Sequence, residues 1–190
     1  MLTAKGAATR ERIVLGTAEL IRARGVTVGL DDIRAATATS KSQLFHYFPD
    51  GKADLLLAVA RHEASQVLAD QLPELAGLTT WAAWQRWRTR VIEIYDGQRA
   101  GCPLAALVSQ LATPGAREII TDLYDQWLTH LVTGIQALKA AGLTPADVDE
   151  KRAATTILTA ITGGAGLLQA TDDMTYLETA LTDAINALRQ

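Results

Sequence analysis

Ile33-Arg34-Ala35-Ala36-Thr37-Ala38-Thr39-Ser40-Lys41-Ser42-Gln43-Leu44-Phe45-His46-Tyr47-Phe48 is the stretch that decides the fold. Ile33, Leu44 and Phe48 recur at helical spacing on what become the inner faces of two short helices, Leu30–Thr37 and Lys41–Phe48. Ser40-Lys41-Ser42-Gln43 fits the S-x-x-Q capping pattern, so the second helix should open at Lys41. Two short helices joined by a tight turn form the helix-turn-helix pattern, whose second helix lies in the major groove of duplex DNA.

The outer face of that second helix is left to Lys41, Ser42, Gln43 and His46. An ammonium, a hydroxyl and an amide in one helical turn suit phosphates and base edges, with lysine directed to guanine or phosphate and glutamine to adenine. Gln43 has two competing uses, because folding back to cap Ser40 takes it away from a base. The surrounding charge agrees with a polyanion partner. Up to His62 there are nine basic and six acidic residues, a net +3, whereas the remainder of the chain carries −6.

Outward from this stretch the pattern stays helical. Thr9–Arg24 carries Val14, Ala18 and Ile21 on one face and stops at Gly25. After the turn Pro49-Asp50-Gly51, a helix is expected over Lys52–Leu72, closed by Pro73. Thr80 caps Trp81–Asp96. Gly97–Pro103 reads as a loop and Leu104–Leu111 as a short helix. Ala116–Ala141 bears the stripe Ile120, Tyr124, Trp127, Leu131, Ile135 and Leu138. Thr144-Pro145 should open a further helix running to about Ala170, and a last one carries Leu177, Leu181, Ala184, Ile185 and Leu188. The fold expected is all-α with about nine helices: an N-terminal helix-turn-helix domain over 1–51 and a helical ligand-binding and dimerisation domain over 52–190.

Composition narrows the function classes. With 190 residues, 48% hydrophobic and 21% charged, the chain can bury a core and is not a disordered polyelectrolyte. The longest uncharged apolar run, Leu55–Ala60, is far short of a membrane span, so a soluble cytoplasmic protein with no membrane partner is expected. Cys102 is the one cysteine, which leaves no intrachain disulfide. His46, His62 and His130 follow no metal-ligand spacing. Gly163-Gly164-Ala165-Gly166 lacks the strand and lysine of a phosphate loop, and Ser109 lacks a glycine elbow. No enzyme, cofactor or metal site is expected.

Ile33 to Phe48, followed by Pro49-Asp50-Gly51-Lys52-Ala53-Asp54-Leu55, resembles the DNA-binding region of tetracycline-repressor-type (TetR family) regulators. The block Leu44-Phe45-His46-Tyr47-Phe48-Pro49 with Lys52 downstream carries most of the likeness, which covers about Thr9 to Leu57, and the helical layout extends it along the chain. Four positions depart from the family pattern. The usual turn glycine is Ala38, the valine after it is Thr39, the glycine of the third helix is Ser42, and the threonine capping the second helix is Gly29.

The resemblance implies that Lys41, Ser42, Gln43 and His46 face the groove, that Tyr47 and Lys52 hold phosphates, and that Thr39 and Ser40 lie near the DNA backbone. It also implies a homodimer through the last two helices, with Ile157, Ile161, Gly164, Leu168, Leu177, Leu181 and Ile185 as interface candidates; the alternative is an ordinary contact within the chain or a kink at the glycines. Trp84, Arg88 and Tyr95 share one helix face, and with Trp81, Cys102 and Trp127 they are candidates for a pocket taking an unknown small-molecule effector, although such a stripe is more often core. The function expected is a ligand-responsive regulator, a repressor released from a palindromic double-stranded DNA operator by a small apolar effector. The alternative is an all-helical carrier or interaction module with degenerate DNA binding.

Overall fold

A computed structural model describes residues 3–98, 104 and 114–189. These residues form eight α-helices and no strand: α1 (Ala4–Arg24), α2 (Leu30–Ala36), α3 (Lys41–Tyr47), α4 (Lys52–Ala69), α5 (Trp81–Gly97), α6 (Pro114–Ala140), α7 (Glu150–Thr171) and α8 (Thr175–Asn186). Short 3-10 turns follow α4 and α8. Of the expected helix Leu104–Leu111 only Leu104 is described; the remainder, and Cys102, lie outside the described residues.

The chain falls into two compact units, Met1–Gln66 with Cys102–Ile120, and Val67–Gly101 with Thr121–Gln190. The first unit is built around Ile13, Val14, Ile21, Ile33, Leu44, Phe48, Leu55 and Val59, all buried. Glu63 of α4, buried itself, accepts a 2.5 Å hydrogen bond from Arg22 of α1, so its charge is paired where desolvation would otherwise penalise it. Arg10 lies over the Phe48 ring at 5.1 Å, covering the end of α3.

The second unit is centred on Trp84, Trp87 and Trp127, each almost fully buried. Trp84 and Trp87 meet edge to face at 5.7 Å. Trp84 Nε1 donates to Leu78 O, and Trp87 Nε1 to Gln71 Oε1, so both indoles are satisfied inside the core. Gly134 makes room for this packing: a β-carbon there would stand 2.6 Å from Leu78 Cβ. In this unit α7 and α8 pack along their length.

Three boundaries differ from the sequence reading by three residues or more. α1 begins at Ala4, five residues early, because the Thr3 hydroxyl accepts from Gly6 N–H and caps it. α4 stops at Ala69, short of Leu72, where Gln71 N–H turns back to Leu68 O ahead of Pro73. α7 opens at Glu150, not after Thr144-Pro145. Asp149 Oδ1 caps it by accepting from Arg152 N–H, while Lys139 Nζ binds both Val148 O and Glu150 Oε1 and holds 145–149 as a turn.

Candidate nucleic-acid interface

α2 and α3 bury Ile33 and Leu44 completely, and Phe48 follows at the end of α3. Burying those three turns the opposite side of α3 outward. Lys41, Ser42, Gln43 and His46 are all exposed, the side expected to face DNA. Tyr47 is half-buried, with its ring edge to face against His46 at 4.9 Å. An aromatic pair of this kind limits the directions in which the Tyr47 hydroxyl can point.

The cap of α3 forms as its sequence suggests. Ser40 Oγ accepts from Gln43 N–H and Gln43 Oε1 accepts from Ser40 N–H, both at 3.2 Å. Between the two uses open to Gln43, the structure shows the cap. The oxygen that would accept from adenine N6 is turned to the Ser40 amide, so a two-point adenine contact requires the box to open. α2 is capped differently. Gly29 has no side chain to offer, and Asp32 Oδ2 instead accepts from Gly29 N–H at 3.0 Å.

Thr39 and Lys52, both expected at the DNA, also make contacts within the chain. Thr39 is buried, and its hydroxyl donates to Thr37 O at 3.0 Å, so its side chain faces the turn and not the solvent. Lys52 Nζ lies 3.4 Å from Val26 O and is half-buried, with two of its three donors left. Sequence reasoning missed Arg12, whose guanidinium reaches from α1 to Thr37 O, the carbonyl at the end of α2. A contact across 25 residues has no local sequence signal.

Trp81, Trp84, Arg88, Tyr95 and Trp127, the described pocket candidates, all lie in the second unit. Trp84 and Trp127 are core. Arg88 Nε donates to Thr182 Oγ1 of α8 at 2.7 Å. Trp81 is half-buried under the guanidinium of Arg189 at 4.3 Å. Tyr95 is half-buried, and Cys102 lies outside the described residues.

The interface candidates are likewise spent within the chain. Ile157, Ile161, Leu168, Leu177, Leu181 and Ile185 are buried, and Gly164 lies against Leu177. They form the contact of α7 with α8 within the chain, and Gly164 also lines the outward side of the two helices. The outward side of the same two helices is a groove lined by Thr155, Thr159, Gly163, Leu167, Tyr176 and Ala180 among others. Leu167 and Tyr176 are 47% and 46% exposed there. α7 is apolar on both faces, enough to pass by length and mean hydropathy as a membrane-crossing helix, and the groove accounts for the face that α8 does not cover.

Two short helices joined by a tight turn, the second capped and polar on its outer face, have the helix-turn-helix architecture. Residues 13–59 match the family described as bacterial regulatory proteins, tetR family, and residues 78–184 match the tetracyclin repressor-like C-terminal domain. The chain belongs to the TetR family of transcriptional regulators. An uncharacterised HTH-type transcriptional regulator in the lacX 3′ region of Lactococcus lactis subsp. lactis is 29% identical over 181 residues, 90% of this chain and 88% of that protein. A TetR transcriptional regulator from Chloroflexus aurantiacus J-10-fl is similar in structure, with TM-score 0.77 and 27% identity over 99% of this chain and 98% of that one. A transcriptional regulator from Saccharomonospora viridis, solved in complex with choline, shares the fold at TM-score 0.73 and 23% identity, over 95% and 96% of the two chains.

Proposed function

We propose that this chain is a homodimeric, ligand-responsive repressor that binds a palindromic operator through α3 and releases it when a small molecule binds. The observation that carries this reading is the outward face of α3, where Lys41, Ser42 and His46 stand free of the core while Leu44 fixes the helix from below. Residues 1–51 would read DNA and residues 52–190 would sense and dimerise. Two α3 helices about 34–36 Å apart meet successive major grooves on one side of a duplex.

The outward groove of α7 and α8 supports a dimer better than the buried residues do. Its small side chains allow close helix approach, and Leu167 and Tyr176 give it apolar area that water would otherwise cover. Two copies related by a twofold axis present the same groove to one another.

Release would follow from α4. Lys52 is its first residue and the helix is unbroken to Ala69, so a ligand that binds two settings of α4 unequally changes operator affinity by that difference in binding free energy. A small, largely apolar effector suits a unit whose interior is tryptophan-rich. Gel-shift titration on DNA upstream of the chain's own gene tests the reading: a discrete complex that a bound effector dissolves is expected, and ligand binding without any DNA complex would instead indicate a carrier.

A further inference from the structure

The turn between α2 and α3 is made from a residue that resists it. Ala38 stands at φ 46°, in the left-handed region where a β-carbon crowds the chain and glycine is the usual occupant. Something must hold it there, and the contacts converge on Thr37. The Thr37 hydroxyl lies 2.7 Å from Ile33 O and 2.9 Å from Thr39 Oγ1. Thr37 O accepts from the Thr39 hydroxyl and from the guanidinium of Arg12, which fills both of its lone pairs. One helical turn beyond Arg12, α1 comes so close that a β-carbon on Gly16 would stand 2.9 Å from Thr37 Cγ2. α1 therefore grips Thr37 at two points, one polar and one steric.

We propose that Arg12 is a positioning residue for DNA binding: by clamping the Thr37 carbonyl it holds Ala38 in its strained conformation and so fixes the start of α3. The proposal rests on the reading of α3 as the recognition helix. It makes Arg12 act through the turn and not through a phosphate. The turn needs this clamp because it has alanine where glycine would bend freely.

The distinction is testable by relieving the strain. In Arg12→Ala the Thr39 amide, which donates to Arg34 O at 3.0 Å, should exchange with solvent about tenfold faster or more, and affinity should fall by a similar factor for a fluorescein-labelled duplex enriched from random DNA by the wild-type protein. Adding Ala38→Gly to Arg12→Ala should restore both, because glycine adopts the turn without help. The same Ala38→Gly should restore nothing to Lys41→Ala, whose loss is a lost DNA contact. Unchanged Thr39 exchange in Arg12→Ala overturns the proposal. So does an affinity loss that Ala38→Gly leaves in place, which would make Arg12 a direct phosphate ligand. If the wild-type protein enriches no duplex, the DNA-binding reading is what fails, and the exchange measurement still decides whether Arg12 holds the turn.

Discussion

The backbone of Leu177 in α8 passes so close to Gly164 in α7 that a β-carbon on Gly164 would stand 2.6 Å from Leu177 Cα. A backbone atom cannot swing aside as a side-chain end can, so the two helices would have to separate. Gly164→Ala should therefore destabilise the chain by about 1–3 kcal/mol, although alanine is worth about 1 kcal/mol over glycine within a helix. Gly166, two residues on, faces open space, and Gly166→Ala should stabilise by up to about 1 kcal/mol. Urea unfolding of the two variants checks the opposite signs.

Ala38 gives a second change of known direction. Its φ of 46° costs a non-glycine residue on the order of 1–2 kcal/mol, part of which glycine returns as extra freedom in the unfolded chain. Ala38→Gly should raise stability by about 1 kcal/mol with no loss of helix content, read by denaturant midpoint and circular dichroism.

The outward groove of α7 and α8 predicts a separation of assembly from folding. Leu167→Glu places a charge on the exposed groove wall and should yield a folded monomer. Ile161→Glu places the same charge in the core between the helices, where an unpaired carboxylate is far more costly, and should unfold the chain. Sedimentation analysis beside circular dichroism distinguishes the two, and a Leu167→Glu variant that stays dimeric would move the interface elsewhere.

Lys139 and Glu150 set an acid-side dependence. The hydrogen bond from Lys139 holds the Glu150 carboxyl below its ordinary value of 4.5. A lowered folded-state pKa means that the pair's stabilisation is present above about 4.5 and is lost as pH falls through the lower folded value. Glu150→Gln should remove that part of the acid-side slope and leave stability at neutral pH little changed, because the pair is partly exposed. Thermal unfolding between neutral pH and pH 3, taken as a range of about four units, makes the comparison.

Much of this fold is written in local signals. The α3 cap, the glycine stop of α1 and the aromatic face of α5 each follow from residues within a turn or two of one another. The α7 start shows the limit of such reading. Thr144-Pro145 is a good cap by type, yet Asp149 wins because Lys139, ten residues earlier, fixes the intervening turn. The interface residues show another. Ile157, Ile161 and Leu168 form the strongest apolar stripe on α7, and the strongest stripe goes to the nearest partner, α8. The weaker series Thr155, Thr159, Gly163 and Leu167, at four-residue steps, was the sequence signal of the outward face. At the candidate DNA site, the outward set Lys41, Ser42 and His46 was legible from what Leu44 and Phe48 bury. The inward turn of Thr39 and the reach of Arg12 were not, since both depend on how α1 crosses the turn.

On the proposed function, α3 reads DNA with its exposed face. The most direct measurement is fluorescence anisotropy of the enriched duplex, titrated with the wild-type chain and with Lys41→Ala/Tyr47→Phe at about 0.15 M salt. A sequence-specific complex with a dissociation constant of about 10⁻⁸ M or tighter is expected for the wild type, weakened about tenfold or more by the paired change. No specific complex of the wild type up to about micromolar protein, or a paired change that leaves its affinity untouched, would rule out DNA reading by α3.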